Sequence, residues 1–169
     1  YDAGLALLAE AGYAQYEISA YARDGRAARH NLNYWHFGDY LGIGAGAHGK
    51  RTDGEGGVWR TARIRHPERY MRAALAGDAV DARAQVRGVD LATEFMLNAL
   101  RLAEGFPLAL FEQRTGLARE VVAAPLAEAL ARGWLLQRAD WLRPTGAGFR
   151  FLNDLQLLFT GLDASAVAA

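Results

Sequence analysis

The segment from Gly42 to Gly57 carries glycine at positions 42, 44, 46, 49, 54, 56 and 57. Glycine costs on the order of 1 kcal/mol per residue in a helix interior, so no helix is expected to run through this stretch. It follows Tyr40 to Ile43, an apolar run that reads as a buried strand. A strand that runs into glycines lets backbone come close to something, either a ligand or neighbouring backbone. Gly44, Gly46 and Gly49 spell G-x-G-x-x-G, and Gly44, Gly49 and Lys50 nearly spell a P-loop. Both nucleotide motifs need a helix N-terminus behind the glycines to hold phosphate, and the residues from Lys50 to Gly57 are poor helix formers. The P-loop also requires Ser or Thr where this chain has Arg51. Tight strand packing and a ligand-facing backbone are the two readings left.

Periodicity orders the rest of the chain. Residues 1–12 read as a helix with Leu5 and Leu8 on one face and Gly12 as its stop. Tyr13 to Ser19 alternates like a strand, Gly25 marks a turn, and His30 to Phe37 is a polar-aromatic turn or short helix. Val58 to Ile64 reads as a strand, and Pro67 sits at the first turn of a helix over His66 to Ala76. Residues 78–89 are polar with little periodicity and read as a linker. After it, Asp90 can cap a helix reaching about Arg101, Pro107 opens a second that ends before Gly116, and a third runs from Arg119 to Ala131. Trp134 to Gln137 and Trp141 to Arg143 form a hairpin, and Thr145 can cap a last helix through Phe159. Three helices, a small hairpin and a closing helix spell a winged-helix-like module. The chain opens at Tyr1, without Met and inside a helix, so it is expected to be a piece of a longer protein.

Composition narrows the chemistry. Apolar residues make up 51% and charged residues 22%, an ordinary globular balance. Nineteen basic and 19 acidic residues cancel, so bulk charge gives no support to nucleic-acid binding. The third helix of the module would be the DNA reader, yet its Arg119 and Arg132 are offset by Glu120 and Glu128. There is no cysteine, which excludes disulfides, thiolate metal sites, a Cys nucleophile and a thiolate-held iron–sulfur cluster on this chain. No apolar run approaches the roughly 18 residues of a membrane span and no secretory segment opens the chain, so a cytoplasmic location is the expectation. Ser19 and Ser165 are the only serines, and neither lies in a nucleophile elbow. Glu17 falls inside an expected strand, where a solvent-facing or ion-paired carboxylate is the commoner case.

Arg29 to His36 joins two imidazoles, two amides and two aromatics. Neutral imidazole is a good iron ligand and aromatic rings stack on flat macrocycles, but His30 and His36 are six apart and do not share a helix face. A hydrogen-bonded histidine in a polar turn is the commoner reading of such a stretch.

Taken in order, Tyr16-Glu17-Ile18-Ser19, Arg29-His30-Asn31-x-Asn33-Tyr34-Trp35 and Asp39-Tyr40-Leu41-Gly42-Ile43-Gly44-x-Gly46-Ala47-His48-Gly49 resemble the HemW and HemN group of radical-SAM proteins, the heme chaperones and oxygen-independent coproporphyrinogen III oxidase-like proteins. The later Glu94-Phe95-Met96-Leu97-x-x-Leu100-Arg101 and Glu104-Gly105 resemble the start of that group's C-terminal domain. The resemblance implies the last part of a partial (β/α) barrel over residues 1–77, the linker at 78–89, and a winged-helix-like domain over 90–169. It implies a parent that binds a [4Fe–4S] cluster through an upstream CxxxCxxC loop, with S-adenosylmethionine on the open iron. Gly44, Gly46, Ala47 and His48 would line the S-adenosylmethionine pocket. The HNxxYW segment would hold heme, with His30 as ligand and Tyr34 and Trp35 in support. Partners implied are heme or porphyrin, heme-accepting proteins and the absent half of the barrel. A cut barrel would also expose backbone and apolar surface, and so self-associate. The HNxxYW and GAGAHG forms favour a heme chaperone. An oxidase that decarboxylates coproporphyrinogen III is the alternative within the group, and a winged-helix DNA-binding or protein-interaction module is the alternative outside it.

Overall fold

The computed structural model describes residues 2–167. Tyr1, expected at the start of the first helix, and the last two alanines of the second unit lie outside the described residues, as do the side chains of Ser165 and Ala166. Helix α1 (Asp2–Glu10) leads into a small antiparallel hairpin of β1 (Ala14–Glu17) and β2 (Ala20–Ala22). The expected strand over Tyr13 to Ser19 forms as β1 and ends at a turn, where Ser19 takes a positive φ of 72° and sends the chain back into β2. Helix α2 (Arg29–Trp35) follows, then β3 (His48–Thr52) and β4 (Val58–Arg63), then α3 (Pro67–Leu75) with its proline at the first turn, and β5 (Val80–Val86). Strands β3, β4 and β5 form one antiparallel sheet in that order.

Three sequence expectations are corrected here. The glycine-flanked strand Tyr40–Ile43 is not a strand: Tyr40 makes a single bridge to Lys50, while Leu41 and Ile43 are exposed and unpaired. The supposed linker contains β5, an edge strand hydrogen-bonded to β4 along its length. The α/β content is as expected, but the strands among the described residues pair antiparallel, not in the parallel order of barrel strands. For β3 and β4 the physical reason is connection length. A parallel crossover takes a dozen or more residues. Here β3 and β4 are joined by a short turn in which the Asp53 carboxylate accepts hydrogen bonds from the amides of Glu55 and Gly57 and from the Trp59 indole.

The second half begins with α4 (Gly88–Ala99), continues through β6 (Phe106–Pro107), α5 (Leu108–Thr115), a 3₁₀ turn (Arg119–Val122) and α6 (Ala123–Ala131), and turns back in the hairpin β7 (Leu135–Arg138) and β8 (Trp141–Pro144). Strand β6 adds to the outer side of β8. The last helix breaks at Phe151 into α7 (Gly146–Arg150) and α8 (Leu152–Leu157). Thr145 caps α7 as expected, accepting from the Gly148 amide at 2.9 Å, whereas Asp90 lies inside α4 and Arg87 stands at its N-cap. Among the described residues, no helix is long and apolar enough to cross a membrane.

The core is built mainly by the second half. Phe95 on α4 contacts Phe37, Phe106 and Phe111 edge to face at ring separations of 5.3–5.6 Å. Phe37 and Val58, from the first half, belong to the same buried cluster. Each large side chain buried in this way contributes about 1.5–3 kcal/mol by leaving water. Beneath Phe37 lies Lys50, only 2% exposed, whose ammonium donates to the Phe37 carbonyl at 3.0 Å and to Asp39 at 2.9 Å and lies over the Phe37 ring. Burial pushes the Lys50 ammonium below its ordinary value of 10.5, and the bond to Asp39 resists that shift. For Asp39, burial opposes ionisation, but hydrogen bonds from Lys50 and from the amide and hydroxyl of Thr52 outweigh it and hold the carboxyl below 3.8.

The pair predicts an asymmetry. Asp39→Asn leaves a buried ammonium without its counter-charge and should cost about 3 kcal/mol, within the range for breaking a buried ion pair. Lys50→Met leaves a carboxylate that is 43% exposed, still bonded to Thr52 and able to rehydrate, and should cost less. Urea unfolding of both variants checks the order; equal losses would mean that the ion pair does not hold this part of the fold.

Candidate functional site

Helix α2 carries the expected His-Asn-x-x-Tyr-Trp segment, and its polar side chains divide the work. The Asn31 amide donates to the Tyr16 hydroxyl at 3.0 Å, which ties the helix to β1. The Asn33 amide donates to the Asp39 carbonyl at 2.9 Å, which ties it to the chain that follows. Gly38 lies so close that a Cβ there would fall 2.0 Å from Asn33 Oδ1. His30 is exposed, one turn before Tyr34, with the two rings edge to face at 6.3 Å. No protein hydrogen bond to its imidazole is present among the described residues. Tyr34 in turn packs edge-on against Tyr40 at 4.5 Å.

Trp35 points the other way, packing against the core, with the Arg101 guanidinium 4.2 Å above its ring. Arg101 also reaches the Glu17 carboxylate and the Ile18 carbonyl, each at 3.4 Å. Two donors in this junction, Trp35 Nε1 and Arg101 Nε, are buried without a protein acceptor among the described residues. Glu17 is therefore neither solvent-facing nor free: it is 4% exposed and ion-paired. Burial pushes its carboxyl above the ordinary 4.5, and the charge of Arg101 and its hydrogen bond only partly offset this. The signal that sequence reading lacked was the partner, which lies on the far side of α4.

The glycine segment folds as a loop that enters β3, with no helix behind it, so neither nucleotide motif has the geometry to hold a phosphate. Three of its amides are spent internally. Gly44 N donates to the Tyr70 hydroxyl, Gly46 N to the Ile64 carbonyl and Ala47 N to the Gly44 carbonyl. Close backbone packing explains Gly42, where a Cβ would lie 2.3 Å from the His48 carbonyl oxygen. Gly44 differs: a Cβ there would meet nothing within 4 Å, but the residue needs its φ of 108°. His48, at the start of β3, is exposed. The two expected clusters are therefore separate constellations, α2 on one side and the glycine loop with His48 on the other, and Tyr40 stands between them in sequence. Among the described residues no group of three or more His, Asp or Glu could hold a metal ion. The reader-helix arginines are engaged within the fold, Arg119 with Glu112 and Asp140, and Arg132 with Glu128.

Comparison with known proteins adds the following. Residues 88–151 match the HemN C-terminal domain family. The chain is 45% identical over 159 residues to the heme chaperone HemW of Escherichia coli (strain K12), covering 94% of this chain and 41% of that protein. It is 42% identical to the heme chaperone HemW of Haemophilus influenzae, covering 94% and 40%. It is 34% identical to the mitochondrial radical S-adenosyl methionine domain-containing protein 1 of Mus musculus, covering 93% and 37%. Among solved structures it superposes on coproporphyrinogen III oxidase (HemN) from Escherichia coli, described as a radical SAM enzyme, with a TM-score of 0.66 and 15% identity, covering 95% of this chain and 40% of that one. That last likeness is one of fold. The chain spans about two fifths of the length of the curated relatives it matches.

The Glu17 junction makes a signed prediction. A carboxyl whose folded value is raised binds more protons folded than unfolded, so it lowers stability as pH rises through the interval between the two values. The unfolding free energy of the native chain relative to Glu17→Gln should fall as pH rises from 4.5 through the raised folded value, then level off. Chemical denaturation across pH checks this. A difference that grows with pH would mean that Arg101 outweighs burial.

Proposed function

The chain belongs to the HemW-like group of radical-SAM proteins related to HemN, and from that premise we propose that it is the heme-holding part of a heme chaperone. The observation that carries this reading is the His30 imidazole, exposed and without a protein hydrogen bond on a helix whose two asparagines are both fixed by the surrounding fold. A side chain held at its root and free at its tip suits axial ligation of an iron that must later be released to an acceptor protein. Tyr34 flanks the imidazole and can pack on a macrocycle face. Trp35 supports the site from below, by fixing the helix against Arg101.

Resident cofactors divide differently. A cysteine-ligated [4Fe–4S] cluster does not fit this chain, which has no cysteine. The segment Gly44, Gly46, Ala47 and His48 suits an S-adenosylmethionine pocket by shape: the side of Gly44 is open, and an exposed imidazole stands at the end of the loop. Because the amides of Gly44, Gly46 and Ala47 already have acceptors, these residues would offer contact surface rather than amide donors.

In the same reading, residues 1–77 pack against polypeptide outside this chain, and residues 90–169 form a winged-helix-like module working in the cytoplasm. The exposed Leu41, Ile43, Met71 and Leu75 support a covered face in the first unit. Left bare, that face should make the isolated chain self-associate, and sedimentation that shows only monomer at high concentration would count against it.

The direct test is a ferric heme titration followed by the Soret band. The native chain should bind, and His30→Ala should weaken binding on the order of 10- to 100-fold, the scale of losses from disturbing a metal's ligand sphere. Unchanged affinity and an unchanged band in His30→Ala would remove His30 from the site.

A further inference from the structure

Beside the proposed heme helix, a cleft of about 430 Å³ opens between the β1–β2 hairpin and the start of α2. Tyr13, Tyr16 and Tyr21 form its walls, Arg23 and Arg26 its charge, and Ala28 its edge towards α2. No acidic side chain lines it; Asp24, in the turn between the two arginines, stays outside the lining. The groups facing the cleft are thus two permanent cations and phenolic rings.

Their hydrogen-bond states are informative. The Arg23 guanidinium stacks over the Tyr13 ring at 4.5 Å and donates one N–H to the Ala11 carbonyl, so its plane is fixed while other donors stay open. Arg26 is exposed, and its side chain has no ion pair or hydrogen bond among the described residues. The Tyr16 hydroxyl accepts the Asn31 amide proton, which leaves its own hydrogen to donate elsewhere. Fixed and free guanidinium forks beside an O–H donor and flat aromatic walls fit a carboxylate carried on a planar apolar body.

Position connects this cleft to the heme reading. Ala28 is two residues before His30, so their Cα atoms lie at most about 7 Å apart. A macrocycle ligated by His30 can therefore extend a side arm past the helix start into the cleft. We propose that the cleft between the hairpin and α2 seats a propionate carboxylate of the porphyrin held at His30, with Arg26 and Arg23 as its cationic partners and the Tyr16 hydroxyl as a donor. This rests on the heme reading above and adds what selects the ligand's acidic edge and fixes its orientation.

The test compares ferric heme with its dimethyl ester, which keeps the iron and the ring but has no carboxylate. Both are titrated into the native chain, Arg26→Gln, and Arg23→Gln/Arg26→Gln, with the Soret band followed. The native chain should bind the acid about tenfold more tightly than the ester, the scale of one charge-assisted hydrogen bond. Arg26→Gln should erase most of that preference while leaving the ester's affinity and the band position unchanged. Arg23 also bonds to Ala11, so its loss can disturb the hairpin. Arg26 has no such contact, and the single variant decides the matter even if the double variant does not fold. Equal binding of acid and ester by the native chain, or a preference that survives Arg26→Gln, overturns the carboxylate seat while the heme reading stands. No histidine-type band with either ligand in the native chain overturns the heme reading and this one together.

Discussion

Two backbone hydrogen bonds, from the Ile18 amide to the Arg101 carbonyl and from the Ala103 amide to the Tyr16 carbonyl, stitch the first strand to the turn that ends α4. Between them Glu17 is sealed against Arg101, whose guanidinium also covers the Trp35 ring. One cation thus meets the hairpin, the motif helix and the HemN-type domain at once. The orientation of α2, and so of His30, follows from this junction and from the Asn31 bond to Tyr16. A charged pair in such a place is not there for net stability alone, since burial costs both ions solvation. Its geometric effect is to set how the motif helix lies on the core.

The second constraint is close approach. Gly42 sits against the His48 backbone, and Asn33 against Gly38, so the chain on either side of the Asp39–Lys50 pair is drawn tight. Phe37, held between the Lys50 ammonium and Phe95, carries that tightness into the core of the second half. Both motif segments, though separate, therefore rest on the same buried cluster.

Much of this architecture was legible in the sequence because local chemistry decided it. Pro67 and Pro107 placed helix starts, Gly116 and Gly133 placed stops, and the Thr145 cap is seen as read. What could not be read depends on distant pairing. Strand β5 exposes Val80 to Ala84, so it shows no apolar alternation and takes its form from β4. Strand β6 exists because β8 lies beside it. The apolar run Leu41–Ile43 imitated a buried strand, but its side chains face outward. In the candidate site, the sequence shows that His30, Tyr34 and Trp35 share one short segment, but not the inward turn of Trp35, because Arg101 is remote in sequence.

If the Glu17–Arg101 junction holds the motif helix on the core, its backbone bonds should open only when the core does. Native-state hydrogen exchange measures this directly, residue by residue. The amides of Ile18 and Ala103 should exchange with the same free energy as those of Phe95 and Met96 in the middle of α4. Exchange at Ile18 and Ala103 well ahead of α4, with the helix still protected, would show that the first strand comes away on its own and would contradict the account.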